Sequence, residues 1–137
     1  MNTKDWKILL VDDEHEFITT LAERLELRGI NPRVVFDGES ALEAVAAAEP
    51  HVMVLDVLMP GIKGLEVLER IKRTNPNVQV LLLTGHGSTR DGIEGMRLGA
   101  FDYMMKPLNI DTLIEKMDSA IDYANKAAAA AKKGEGL

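Results

Sequence analysis

Residues 52–61, Val-Met-Val-Leu-Asp-Val-Leu-Met-Pro-Gly, combine a short apolar run with a single aspartate and then a proline–glycine turn. A continuous apolar run of this length, bounded by turn residues, indicates a strand that is buried on both faces. Similar runs recur along the chain, and they predict further strands at residues 7–11, 33–36, 78–83 and 101–104.

Amphipathic stretches separate these predicted strands. In residues 14–28, Phe17, Leu21 and Leu25 recur at four-residue steps, which is the apolar stripe of a helix. Four more helices are predicted at residues 38–49, around Leu65, Leu68 and Ile71, at residues 89–98, and from about Asp111, whose side chain is a good N-cap.

Five strands alternating with five helices predict an α/β domain whose parallel sheet carries helices on both faces. Right-handed crossovers leave few topologies for such a chain. The flavodoxin-like strand order 2-1-3-4-5, known from proteins of this architecture, is favoured. We therefore expect a (βα)5 three-layer sandwich that binds its ligands at the carboxyl ends of the strands.

Length and composition limit the classes of protein to which the chain can belong. Its 137 residues fit one domain, and we expect this domain at residues 1–125, followed by an Ala/Lys/Gly-rich helical extension or linker at 126–137. A net charge of −6 argues against direct nucleic-acid binding. The chain has no cysteine, no apolar run near the ~20 residues that cross a bilayer, and no signal-peptide pattern. The expectation is a cytoplasmic domain with no membrane contact.

Polar residues follow four of the predicted strands. Asp12 and Asp13 follow the first strand, Asp56 the third, Thr84 the fourth and Lys106 the fifth. Because the ends of parallel strands lie on one edge, these side chains should converge. Three close carboxylates repel one another, and a hard cation such as Mg²⁺ relieves that repulsion. A carboxylate beside such an ion can act as a nucleophile and become an acyl phosphate.

The strand-end motifs, taken in order, resemble the receiver domain of two-component response regulators, and the resemblance spans about residues 7–121. The matching motifs are Asp12-Asp13, Asp56-Val57-Leu58-Met59-Pro60-Gly61, Thr84-Gly85 and Lys106-Pro107. Each motif alone is weak, but the set in this order is specific. The resemblance also implies a cis peptide bond between Lys106 and Pro107.

The resemblance implies a role for each residue of the set. Asp56 is the expected phosphoacceptor, and Lys106 is expected to pair with the phosphoryl group. Mg²⁺ (or Mn²⁺) is expected on Asp13, Asp56 and the backbone carbonyl of Leu58, with Asp12 binding mainly through water. Thr84 and Tyr103 are the expected switch residues, the first moving toward the phosphoryl group and the second turning inward.

The resemblance also implies the partners. A sensor histidine kinase or a histidine phosphotransfer protein is expected to donate the phosphoryl group. The face formed by helix 4, strand 5 and helix 5 is expected to control an output protein or a missing effector domain, and homodimers through that face are expected in some members. Such a domain is not an enzyme in the ordinary sense, because it catalyses only its own phosphorylation and dephosphorylation.

Two features of the sequence leave alternatives open. Apolar Leu58, two residues beyond Asp56, cannot orient an attacking water, which predicts slow self-dephosphorylation unless His86 reaches the site. Gly92 and Gly95 in the fourth helix indicate either a soft element or close packing that requires glycine.

Three other functions fit the sequence less well. A haloacid-dehalogenase-type phosphatase needs a second acid where Leu58 stands. In a flavodoxin-like cofactor binder, the three carboxylates at this edge would repel the flavin phosphate unless a metal ion intervened. A degenerate receiver that only binds proteins does not need the intact acidic set.

Overall fold

The computed structural model describes residues 2–85 and 89–135, with side chains described as far as Ala131, so that His86 lies outside the described residues. Within these ranges the strands form one five-stranded parallel sheet in the order β2-β1-β3-β4-β5. The strands are β1 (Ile8–Val11), β2 (Arg33–Val35), β3 (Val52–Asp56), β4 (Gln79–Thr84) and β5 (Asp102–Met105). The predicted fold class and strand order are confirmed.

Helices cover both faces of the sheet. They are α1 (His15–Glu26), α2 (Gly38–Ala47), α3 (Gly64–Thr74), α4 (Thr89–Arg97) and α5 (Ile110–Glu135), and a 3-10 turn (Thr3–Asp5) precedes β1. One apolar cluster joins the sheet to α1 and α5, and a second joins the opposite face to α2 and α3.

The three inner strands are buried along their whole length. Leu10, Val54 and Leu81 are aligned across β1, β3 and β4 and belong to the cluster under α1 and α5. Their neighbours Leu9 and Met53 belong to the opposite cluster. Because both faces are covered, these strands show no polar alternation, and each buried Val or Leu side chain contributes roughly 1.5–3 kcal/mol to folding.

The two glycines of α4 are buried in close contact with the sheet. A Cβ at Gly92 would lie 2.5 Å from Cδ2 of Tyr103, and a Cβ at Gly95 would overlap Cδ1 of Leu82. The geometry therefore favours close packing as the reason for these glycines, because any side chain would push α4 away from β4 and β5.

Helix α5 begins one residue before the predicted cap and continues into the predicted tail. Asn109 is its N-cap residue, since its Oδ1 accepts a hydrogen bond of 3.0 Å from the backbone N–H of Thr112. The prediction of Asp111 as the cap is therefore wrong, and Asp111 instead forms an exposed ion pair with Arg28 at 2.5 Å. The helix is described as far as Glu135, so residues 126–135 extend it. Across residues 2–85 and 89–135, no helix is both long and apolar enough to cross a membrane.

Candidate functional site

Three carboxylates meet at the carboxyl edge of the sheet. Asp12 and Asp13 follow β1, and Asp56 is the last residue of the neighbouring strand β3. One carboxylate oxygen from each residue lies within 4.8 Å of the others. Asp12 and Asp56 are buried and Asp13 is half-buried. The chain thus brings together the three side chains that the sequence places at these two strand ends.

The electrostatics of Asp56 are unfavourable for a bare carboxylate. Burial, followed by the negative charge of Asp12, raises its pKa from 3.8 to about 7. The positive charge of Lys106 and a hydrogen bond from the backbone N–H of Leu58 oppose this rise, while Asp13 adds to it. The site therefore holds more negative charge than its own lysine offsets, which is the condition that a divalent cation relieves.

The donor set fits a hard metal ion. Carboxylate oxygens are the ligands that Mg²⁺ and Mn²⁺ prefer in proteins. Among the described residues, none donates a well-oriented hydrogen bond to Oδ2 of Asp12, although this atom is buried. Its contact with Nζ of Lys106 at 2.7 Å is an ion pair, so its remaining polar capacity is available to an ion or its water shell.

Lys106 lies over the acidic cluster, but its ammonium is closer to Asp12 and Glu14 than to Asp56. Its Nζ is 2.7 Å from Oδ2 of Asp12, 2.7 Å from Oε1 of Glu14 and 3.8 Å from Oδ2 of Asp56. The ammonium also lies 4.5 Å from the ring centroid of Phe17. Burial disfavours the charged amine, yet the contacts with Asp12 and Glu14 outweigh it and raise the pKa of Lys106.

The main chain holds Lys106 in place. Its backbone N–H donates to the carbonyl of Thr84 at 2.9 Å, which aligns the ends of β4 and β5. The Lys106–Pro107 peptide bond is cis, as the resemblance implies.

Two of the predicted residues contact the neighbouring elements β5 and α4. The hydroxyl of Thr84 is buried and donates to the carbonyl of Met104 at 3.4 Å, so it is directed toward β5. Tyr103 is half-buried, and its ring packs against Gly92 of α4. Leu58 is 61% exposed at the edge of the site. His86, which the sequence leaves as a competing neighbour, is outside the described residues.

Three structural residues of the site escaped the sequence reasoning. Glu14, the residue before α1, forms an ion pair with Lys106, and Phe17 of α1 places its ring beside the same ammonium. Gly64 allows the start of α3 to approach the end of β3, because a Cβ there would overlap the carbonyl oxygen of Asp56. The sequence does mark both positions, because Glu14 directly follows the paired aspartates and Gly64 follows a proline–glycine loop. Neither pattern, however, predicts which residue Glu14 or Gly64 contacts.

A parallel (βα)5 sheet with an acidic cluster and a lysine at its carboxyl edge defines a receiver-type α/β domain. A family model described as the response regulator receiver domain matches residues 8–118. The chain belongs to this family of two-component signalling domains, as the sequence motifs predict. Magnesium binding at an acidic aspartate cluster and phosphorylation are typical of the family.

Individual relatives agree with this assignment. The uncharacterized transcriptional regulatory protein YkoG of Bacillus subtilis is 36% identical over 114 residues, which cover 83% of this chain and 50% of YkoG. The transcriptional regulatory protein TcrA of Mycobacterium tuberculosis is 40% identical over 111 residues, which cover 81% of this chain and 44% of TcrA. The crystal structure of the receiver domain of NtrX from Brucella abortus matches with a TM-score of 0.80 at 34% identity, covering 84% of this chain and 98% of that domain. The chain thus spans half or less of the length of these two curated relatives.

Proposed function

We propose that this receiver domain accepts a phosphoryl group on Asp56 in a Mg²⁺-dependent reaction and thereby changes the affinity of its α4–β5–α5 face for an output partner. The observation that carries the proposal is the convergence of Asp12, Asp13 and Asp56 beneath Lys106. A lone aspartate after a strand is usually a helix cap, but three carboxylates facing one ammonium are not needed for capping.

A bound magnesium ion, with manganese as the alternative, supplies positive charge that neutralises the phosphoryl oxygens during transfer. Asp13, Asp56 and the backbone carbonyl of Leu58 would hold it directly, and Asp12 mainly through water. These four residues supply only oxygen atoms, which suits both metals.

The remaining chemistry belongs to the side chains. A carboxylate oxygen of Asp56 forms a bond to phosphorus as the bond from phosphorus to the donor breaks, and that bond's electron pair leaves with the donor. Lys106 then pairs with a phosphoryl oxygen as a point charge. Thr84 exchanges its bond to the Met104 carbonyl for one to the phosphoryl group, and Tyr103 turns inward beside it.

The donor and the readout follow from family membership. Response regulators receive phosphate from histidine kinases, so we infer a sensor histidine kinase or a histidine phosphotransfer protein as donor. The output is an unidentified protein or an effector domain, consistent with relatives that are at least twice as long as the matched segment. We infer a cytoplasmic location, no direct nucleic-acid binding, and α4–β5–α5 as the face for any homodimer.

The test is direct phosphorylation. The protein is incubated with acetyl phosphate with and without Mg²⁺ and then weighed by mass spectrometry, with Asp56→Asn and the exposed Asp118→Asn on α5 as matched variants. One labile phosphoryl group that requires the metal, persists in Asp118→Asn and is lost in Asp56→Asn supports the proposal. No modification, or modification that survives Asp56→Asn, overturns it.

A further inference from the structure

We propose that Glu14 is a positioning residue that restrains Lys106 in the unphosphorylated domain and thereby slows phosphoryl capture at Asp56. The inference rests on the proposed function and deepens it, because it concerns how the same lysine reaches the phosphoryl group. Nζ of Lys106 lies at unequal distances from the two carboxylates, 2.7 Å from Oε1 of Glu14 but 3.8 Å from Oδ2 of Asp56.

The ammonium is held between two carboxylates of very different exposure. The side chain of Asp12 is fully buried, whereas that of Glu14 is 62% exposed. Because Asp12 is fixed beneath the lysine, only Glu14 can swing into water without leaving a buried charge unpaired. Glu14 is therefore the removable partner of Lys106, and its departure frees one side of the ammonium for a phosphoryl oxygen.

The Glu14 side chain has no competing structural duty among the described residues. Glu14 stands at the N-cap position of α1, but its carboxylate makes no capping hydrogen bond. Its main chain does the structural work, since its N–H donates to Oδ1 of Asp12 at 2.9 Å and its carbonyl accepts from Ile18 at 3.0 Å. A substitution that changes only the side chain should therefore leave the start of α1 intact.

The ion pair between Glu14 and Lys106 affects phosphorylation because the incoming phosphoryl donor is negatively charged. A phosphoryl donor brings negative charge to an edge that already carries three carboxylates, and Lys106 is the cation within 4 Å of Asp56 among the described residues. While the Glu14 carboxylate is paired with Lys106, it offsets part of the positive charge that would otherwise attract the donor. Half-exposed ion pairs of this kind change equilibria by small factors, so we expect an effect of about two- to fivefold rather than orders of magnitude.

The experiment compares Glu14→Gln and Glu14→Ala with Glu16→Gln. Glu16 lies two residues further along, is exposed, and loses the same unit of charge without contacting Lys106. The rate of phosphorylation by acetyl phosphate is measured at saturating Mg²⁺ and high ionic strength. The ¹⁵N signal of the Lys106 ammonium is recorded by NMR in metal-free, unphosphorylated protein.

The expected result is a two- to fivefold faster capture in Glu14→Gln, at least as large in Glu14→Ala, and a changed Lys106 signal in both. Glu16→Gln should leave the rate and the signal near those of the parent. Equal acceleration in all three variants would mean a general charge effect and overturn the proposal, as would unchanged capture in the Glu14 variants. If the parent is not phosphorylated at all, the proposed function fails, while the Lys106 signal still reports whether Glu14 holds the ammonium.

Discussion

Replacing Asp56 by Asn should stabilise the metal-free domain at neutral pH. The folded protein holds the pKa of Asp56 at about 7, against an ordinary value of 3.8, because burial and the charge of Asp12 disfavour the carboxylate. Between these two pH values the folded state binds more protons than the unfolded state, so the free energy of unfolding falls as pH rises. Asparagine has the shape of the protonated acid and avoids this loss.

The size of the effect follows from the two pKa values. A difference of about three pKa units at 1.36 kcal/mol each corresponds to about 4 kcal/mol at a pH above both values. At pH 5 most of the folded molecules still carry the proton, so the advantage of Asp56→Asn should fall to less than half. Saturating Mg²⁺ should also narrow it, since a ligand present at 100 times its Kd stabilises the parent by about 2.7 kcal/mol.

Urea unfolding followed by Trp6 fluorescence and circular dichroism measures this prediction. The parent, Asp56→Asn and the exposed control Asp118→Asn are compared in EDTA at pH 5 and pH 8, and then in excess Mg²⁺. The control should track the parent under every condition. Two results would refute the argument that an uncompensated buried charge destabilises this edge of the sheet. In the first, Asp56→Asn is no more stable than the parent at pH 8. In the second, its gain in stability is the same at pH 5 and pH 8.

Three further outcomes are expected. Leu58→Asn supplies a polar group for an attacking water and should speed loss of the phosphoryl group about fivefold, the equivalent of one ordinary hydrogen bond; an unchanged lifetime, followed by mass spectrometry, would sink the idea. Gly92→Ala should displace the Tyr103 ring and cost about 1–3 kcal/mol in urea unfolding, and an unshifted Tyr103 NMR signal would contradict this. His51 accepts the backbone N–H of Lys7 at 2.9 Å, and burial, then the Lys7 charge, lowers the pKa of His51. The contribution of His51 runs opposite to that of Asp56, so it is measured in the Asp56→Asn background: there, stability should decline as pH falls below about 6.5, and His51→Gln should weaken that decline; an identical pH dependence with and without His51→Gln would argue against it.

The sequence was sufficient for the sheet because the inner strands are almost continuously apolar between their polar ends. The run at residues 52–55 and the observed β3 (Val52–Asp56) differ by one residue, since a strand buried on both faces leaves little doubt about its extent. Family knowledge supplied the strand order, and the order in turn predicted that Asp12, Asp13 and Asp56 would meet. Apolar runs and strand ends are local features, and local features can be read from a single sequence.

The individual hydrogen bonds and ion pairs around the acidic cluster are not local, and the sequence did not reveal them. Glu14 and Lys106 are 92 residues apart, and nothing in the chain between them predicts their ion pair. The prediction of the α5 cap residue was wrong for a related reason. Asn109 and Asp111 are both good caps, and only the distant Arg28, which attracts Asp111, indicates how the two are used. The orientation of the buried Thr84 hydroxyl likewise depends on the carbonyl of Met104 in the next strand.

The outer strands of the sheet also bear on how molecules of this domain meet one another. An outer strand exposes unpaired amide groups onto which another chain can be added. Here β2 has three residues and β5 has four, and the Arg33 guanidinium folds back onto the carbonyls of Ala44 and Ala48 at 3.2 and 2.7 Å. Such short edge strands offer another chain few backbone groups for β-pairing. The net negative charge of the domain also keeps its copies apart. Crowded solutions of the native domain should accordingly stay clear of fibrils, and any insoluble material should grow from unfolded chains.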